Sequence, residues 1–123
     1  MDAGFPVRLS EIRDLLECDV LCGEDRLDLE IEECFAADLM SDVLAYCRPN
    51  ALLLTGLTGV QSVHTADVAE LAAVVYVNRK RPAGHILDIA RKKEIPLLST
   101  PRTLYEACGI LRASGFAGGS RTR

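Results

Sequence analysis

Tryptophan is absent, tyrosine and phenylalanine number three each, and no apolar run approaches the ~18 residues that a membrane span requires. There is no run of five basic residues, and the net charge is −4. A binder of nucleic acid or of an anionic membrane usually carries the opposite sign, so neither partner is expected. Met1-Asp2-Ala3-Gly4 has neither the basic nor the apolar region of a secretory signal, which points to a cytoplasmic protein. Histidine is scarce: His64 and His85 each fall in a helical pattern, where a surface or half-buried role is the ordinary one. Neither a G-x-S-x-G elbow nor an H-E-x-x-H pair occurs. With no placed general base, the chain is read as a non-enzyme without a cofactor.

Cysteine is present five times, an odd number that argues against a disulfide framework and for reduced thiols. Cys18 and Cys22 have three residues between them rather than two, and no second pair completes a zinc set. Cys18, Cys22, Cys34, Cys47 and Cys108 are therefore expected to be core thiols. The 123 residues are 49% hydrophobic and 26% charged, the balance of one globular domain rather than a disordered chain. A domain of this mass exposes roughly 6,500 Å² of the about 19,000 Å² of its unfolded chain.

Leu9, Ile12, Leu15 and Leu16 recur at helical spacing behind Ser10 as N-cap, predicting a helix over 9–17. Val20-Leu21-Cys22 reads as a strand, stopped by Gly23-Glu24-Asp25. Alternation of Leu27, Leu29 and Ile31 with Asp28, Glu30 and Glu32 predicts a half-exposed strand, completing a two-strand unit. Asp38 is expected to cap a helix holding Met40, Val43 and Leu44, ended by Pro49-Asn50. Asp38 and Asp42, four apart, could instead ligate a metal or share a proton. Beyond residue 50 the apolar runs 51–54, 72–77 and 96–98 are each followed by a polar or glycine-bearing loop and a helical pattern, over 60–70, 83–93 and 101–113. Runs buried on both faces and alternating with helices specify a three-layer α/β/α domain with a parallel or mixed sheet of about five strands. The domain is expected over 9–115, with 1–8 an extension and 116–123 a frayed tail.

In such a sheet, ligands favour the crevice at the carboxyl ends of the strands. The loops there carry Thr55, Gly56, Thr58 and Gly59, then Lys80 and Arg81, then Thr100 and Arg102. Free backbone N–H groups at helix starts, cations and hydroxyls suit a small anion such as a phosphate, and Gly59 is expected to need φ above zero. The alternative is that the glycines only permit tight turns and the cations are solvated. A nucleotide phosphate loop is excluded, because Val60 and Gln61 stand where lysine and a hydroxyl are required.

Residues 37–45 (Ala37-Asp38-Leu39-Met40-Ser41-Asp42-Val43-Leu44-Ala45), then Leu53-Leu54-Thr55-Gly56-Leu57-Thr58 and Glu106-Ala107-Cys108-Gly109, together resemble the DRTGG domain, here standing alone, over about Leu9 to Gly115. The resemblance implies a fold similar to the N-terminal domain of HPr kinase/phosphorylase, a domain also found fused to phosphotransacetylases and beside CBS domains. It implies a regulatory or ligand-sensing module without kinase or acyl-transfer chemistry, often oligomeric. The resemblance implies that stand-alone members occur in anaerobes with iron-only hydrogenase genes, and the alternative reading is a pure interaction subunit associated with a redox (iron-only hydrogenase) or phosphotransfer system that binds no small ligand. The chain departs from the family pattern in having His64-Thr65 for Arg-Thr and Asn78-Arg79-Lys80 for Arg-Gly-Lys. A homodimer is expected from the resemblance and from a mean hydropathy of +0.14.

Overall fold

A computed structural model describes residues 6–118. Each apolar run of the second half becomes a buried strand: β5 is Leu52–Thr55, β6 is Ala73–Tyr76 and β7 is Leu97–Ser99. They pair in parallel, Leu53 opposite Val74 and Val75 opposite Leu98. Two further strands are β2, Asp19–Cys22, antiparallel to β7 with an irregularity between Val20 and Cys22, and β4, Glu33–Ala36, parallel to β5. A short β8, Ala117–Gly118, lies parallel to β4 and completes the order β2-β7-β6-β5-β4-β8. The sheet is thus mixed and mainly parallel, with six strands rather than five.

The helices follow the expected spans: α1 is Leu9–Leu16, α2 Met40–Tyr46, α3 Val60–Val68, α4 Gly84–Lys93 and α5 Leu104–Ala113. Right-handed crossovers from β4 through β7 step in one direction along the sheet, so α2, α3 and α4 share a face, whereas α5 returns toward β8 and crosses the other. The side chains obey the same division. Leu53, Val74, Tyr76 and Leu97 meet Val43, Val63, Ala66, Ile86 and Ala90 on one side. Leu52, Leu54, Ala73, Val75 and Leu98 meet Leu9, Ile12, Leu16, Ala107 and Leu111 on the other. Alternate residues of one strand feed two separate cores, which is why the runs are apolar without interruption.

The first third departs from its pattern. Leu27 and Leu29 are not in a strand, and only Glu30–Ile31 forms one, β3, paired antiparallel with β1, Val7–Arg8, rather than with β2. The carbonyls of Leu29 and Leu27 accept the N–H groups of Leu9 and Ser10, each at 2.9 Å. They satisfy donors that a helix start leaves open, a tertiary task invisible in the alternation. The N-cap of α1 is consequently Arg8, not Ser10, and Arg8 N–H donates to Glu11 Oε1 at 3.1 Å. Glu33–Ala36 was not expected as a strand. Its neighbour β8 is only two residues long, so β4 is half-exposed and shows no continuous apolar run. Of the expected tail, Ala117 and Gly118 lie on the sheet and 119–123 fall outside the described residues.

Candidate functional site

The helix after β6 crosses one face and the helix after β7 the other, so the sheet has its switch point between these two strands. The loops leaving them are tied together there. Asn78 N–H donates to the Arg102 carbonyl and Arg79 N–H to that of Thr100, both at 2.8 Å, and Val77 N–H reaches the Thr55 carbonyl at 3.0 Å. The three loops therefore form one continuous edge. Asn78 and Arg79 both hold φ +59, a left-handed conformation that costs about 1–3 kcal/mol per residue and persists where bonds such as these over-determine it.

At the β5 end, buried Thr55 donates its hydroxyl to Asp38 Oδ1 at 3.0 Å and accepts from Leu57 N–H at 3.1 Å. Gly56 N–H donates to the same carboxylate oxygen at 2.7 Å, and Lys80 Nζ donates to the Gly56 carbonyl at 3.3 Å. Asp38 is thus not the cap of α2. Leu39 occupies that position, and the Asp38 carboxylate has a charge-assisted pair of donors on the neighbouring loop instead. Thr58 is half-buried on the way to Gly59, the N-cap of α3. Gly59 has φ −69, open to any residue, so the expected positive φ is not found there. Its carbonyl accepts from Ser62 Oγ at 2.8 Å, and that hydroxyl lies 2.8 Å from Tyr76 OH.

At the switch point the expected cations have carboxylate partners. Arg81 Nη2 stands 2.5 Å from Asp19 Oδ2, because antiparallel β2 begins where β7 ends. Arg102 Nη2 is 3.5 Å from Glu17 Oε1, and its Nε is buried without a hydrogen-bond partner. Thr100 Oγ1 is buried and donates to the Leu16 carbonyl at 2.5 Å, so it braces the end of α1 rather than facing solvent. A cleft of about 270 Å³ lies between these groups, lined by Glu17, Asp19, Arg79, Arg81, Thr100 and neighbouring residues.

The structure places all eight sequence-chosen residues along one edge but in two clusters, Thr55, Gly56, Thr58, Gly59 and Lys80 at one end, Arg81, Thr100 and Arg102 at the other. Sequence reasoning did not place Glu17 and Asp19 in the edge, and it assigned Asp38 to a cap. No spacing in the chain signals the first two, whose approach depends on β2 joining β7. The edge consequently presents cations and carboxylates in alternation, able to exchange ion pairs with an arriving anion.

Elsewhere the chemistry is muted. Burial pushes the Cys18 and Cys34 thiols up to about 12, with nearby Asp19 and Cys108 respectively adding to the effect, and raises Cys22 and Cys108 as well. Such thiols are poor nucleophiles at neutral pH. None of the five forms a disulfide, and of them Cys22 and Cys47 are fully buried. His64 and His85 are exposed on α3 and α4. Among the described residues no three His, Cys, Asp or Glu side chains converge as a metal set, and no helix is long and apolar enough to cross a membrane.

The sequence model of the DRTGG domain matches residues 11–114. Among solved structures, the fold is similar to that of the CBS and DRTGG domains of the regulatory region of Clostridium perfringens pyrophosphatase, crystallised with its activator diadenosine tetraphosphate. That similarity has a TM-score of 0.71 at 15% identity and covers 85% of this chain and 45% of that one. This chain therefore spans less than half of that structure. No curated protein matches the sequence.

Proposed function

The chain belongs to the DRTGG domain family, and from that premise we propose that it is a non-catalytic regulatory domain that senses a small phosphate-bearing ligand, such as a nucleotide, at the carboxyl edge of its sheet. The observation that carries the reading is the joined edge itself. Gly56, Lys80, Arg79, Arg81 and Arg102 stand on three loops held together by backbone bonds of 2.8–3.0 Å. Loops at a switch point, two of whose residues hold left-handed backbone, are where such folds place ligands. The similar pyrophosphatase regulatory region is complexed with a nucleotide activator, which supports a nucleotide as the class to test first.

A ligand present at 100 times its Kd adds about 2.7 kcal/mol of stability, enough to raise the melting temperature by several degrees in a domain of this size. A thermal-shift screen over nucleotides and phosphorylated metabolites tests the reading. An upward shift with one class supports it, and a flat response to all of them at millimolar concentration overturns it.

A second reading, a pure interaction subunit of a redox or phosphotransfer enzyme, is favoured by the exposed apolar side chains of α2. Leu44 and Tyr46 there, with Leu39 just before the helix, are 45%, 43% and 61% exposed. Co-purification of a stoichiometric partner enzyme with a chain that binds none of the screened ligands would put this reading first.

A further inference from the structure

This inference rests on the ligand-sensing reading above and concerns the regulation of the same site. Gly56 is gripped from both sides. Its N–H donates to Asp38 Oδ1 at 2.7 Å, and its carbonyl accepts from Lys80 Nζ at 3.3 Å. The same Asp38 oxygen takes the Thr55 hydroxyl at 3.0 Å. An oxyanion therefore already sits where the β5–α3 loop offers its donors, and it belongs to the protein. We propose that Asp38 is a built-in competitor for the site: its carboxylate occupies the oxyanion position at Thr55 and Gly56, and a phosphate-bearing ligand binds there by displacing it.

The chemistry requires the exchange. One N–H shared between two oxygens bonds each more weakly, and a phosphate brought beside the Asp38 carboxylate meets like-charge repulsion. The geometry makes the exchange feasible. Asp38 is exposed and precedes α2 rather than lying within it, so its side chain can leave without breaking a helical bond. Lys80 remains when it does. A Cβ built on Gly56 would lie 3.4 Å from Lys80 Nζ and 3.6 Å from Asp38 Oδ1, so cation and carboxylate flank one residue and the cation is placed to receive the incoming charge.

Orthophosphate titrated into the full chain, followed by ¹H–¹⁵N spectra of the wild type, Asp38→Ala and Asp38→Asn, tests this. Removing the resident carboxylate should tighten phosphate binding by about tenfold or more, the size of a lost competing charged hydrogen bond, with the Gly56 amide moving as the site saturates. Asp38→Asn keeps an acceptor but not the charge and should fall between. If the wild type binds and both variants bind equally or more weakly, or if the tighter binding moves amides other than Gly56, the competitor role is overturned while the site reading stands. If phosphate perturbs none of the three proteins, the site reading falls and this inference with it. Should Asp38→Ala not fold, Asp38→Asn decides alone.

Discussion

At Gly23 the backbone holds φ +87, and a Cβ added there would stand 2.6 Å from the Cα of Pro96, against backbone that cannot swing away. Gly23→Ala should therefore cost about 1–3 kcal/mol by urea unfolding, combining left-handed strain with overpacking. Gly59 differs despite its similar appearance in sequence. Its φ is −69, and the nearest atom to an added Cβ is Gln61 Oε1, the far end of an exposed side chain that can turn. Gly59→Val is expected to be much milder than Gly23→Ala in the same assay. Arg102 tests the proposed site rather than the fold. With its Nε unpartnered and its guanidinium held by a 3.5 Å ion pair to exposed Glu17, it has donors to offer. Arg102→Ala should weaken the best ligand of the screen by about 1.5–3 kcal/mol without lowering the unfolding midpoint by a comparable amount. Equal affinity in calorimetric titration would remove it from the site.

Among the elements, α5 states its own beginning. Thr103 Oγ1 accepts from Glu106 N–H at 3.2 Å, and Glu106 Oε1 accepts from Thr103 N–H at 3.0 Å. This reciprocal cap is local, and Thr103→Ala should cost about 1 kcal/mol in denaturant unfolding. The helix also carries Ala107 and Leu111 into the core shared with α1, so a fault at its start reaches the packing of both. The strands β5, β6 and β7 were legible because each buries both faces. Glu33–Ala36 was not, since a strand flanked by a two-residue neighbour has no such demand on its composition. Leu27 and Leu29 show the opposite error: their alternation is real, but their carbonyls serve α1.

For the molecule as a whole, the half-buried Cys18 and Cys34 thiols set a pH limit. Cys18 and Cys34 stay protonated in the folded state up to about 12, whereas unfolded thiols ionise near 9.0. Raised folded values mean that the unfolded chain loses protons first as the solution becomes alkaline. The thiols' contribution is intact below pH 9 and declines above it, each by up to about 1.4 kcal/mol per pH unit until its folded value is reached. Unfolding in urea at pH 7.5 and pH 10 should show the loss, and Cys34→Ala should have a shallower alkaline decline than the wild type. The exposed area, 6583 Å², is that of an ordinary chain of this mass, so dimerisation is not demanded by surplus surface. The expected homodimer needs an interface of its own, on the order of 1,600 Å² in total. Light scattering should then return twice 13.4 kDa, and a monomer at micromolar concentration would refute it.

The sequence by itself determined the sandwich of helices on a mainly parallel sheet and the edge where its loops gather. Hydrophobic period and strand-to-helix alternation are properties of neighbours in the chain, and strands apolar on both sides admit few other arrangements. Tertiary structure alone decided what those loops meet. Glu17 and Asp19 face Arg102 and Arg81 because β2 docks antiparallel on β7, and Asp38 reaches Gly56 because β4 lies parallel beside β5. Charges brought together through space leave no spacing to read, so the groups that set the electrostatics of the edge became visible only once the strands were in order.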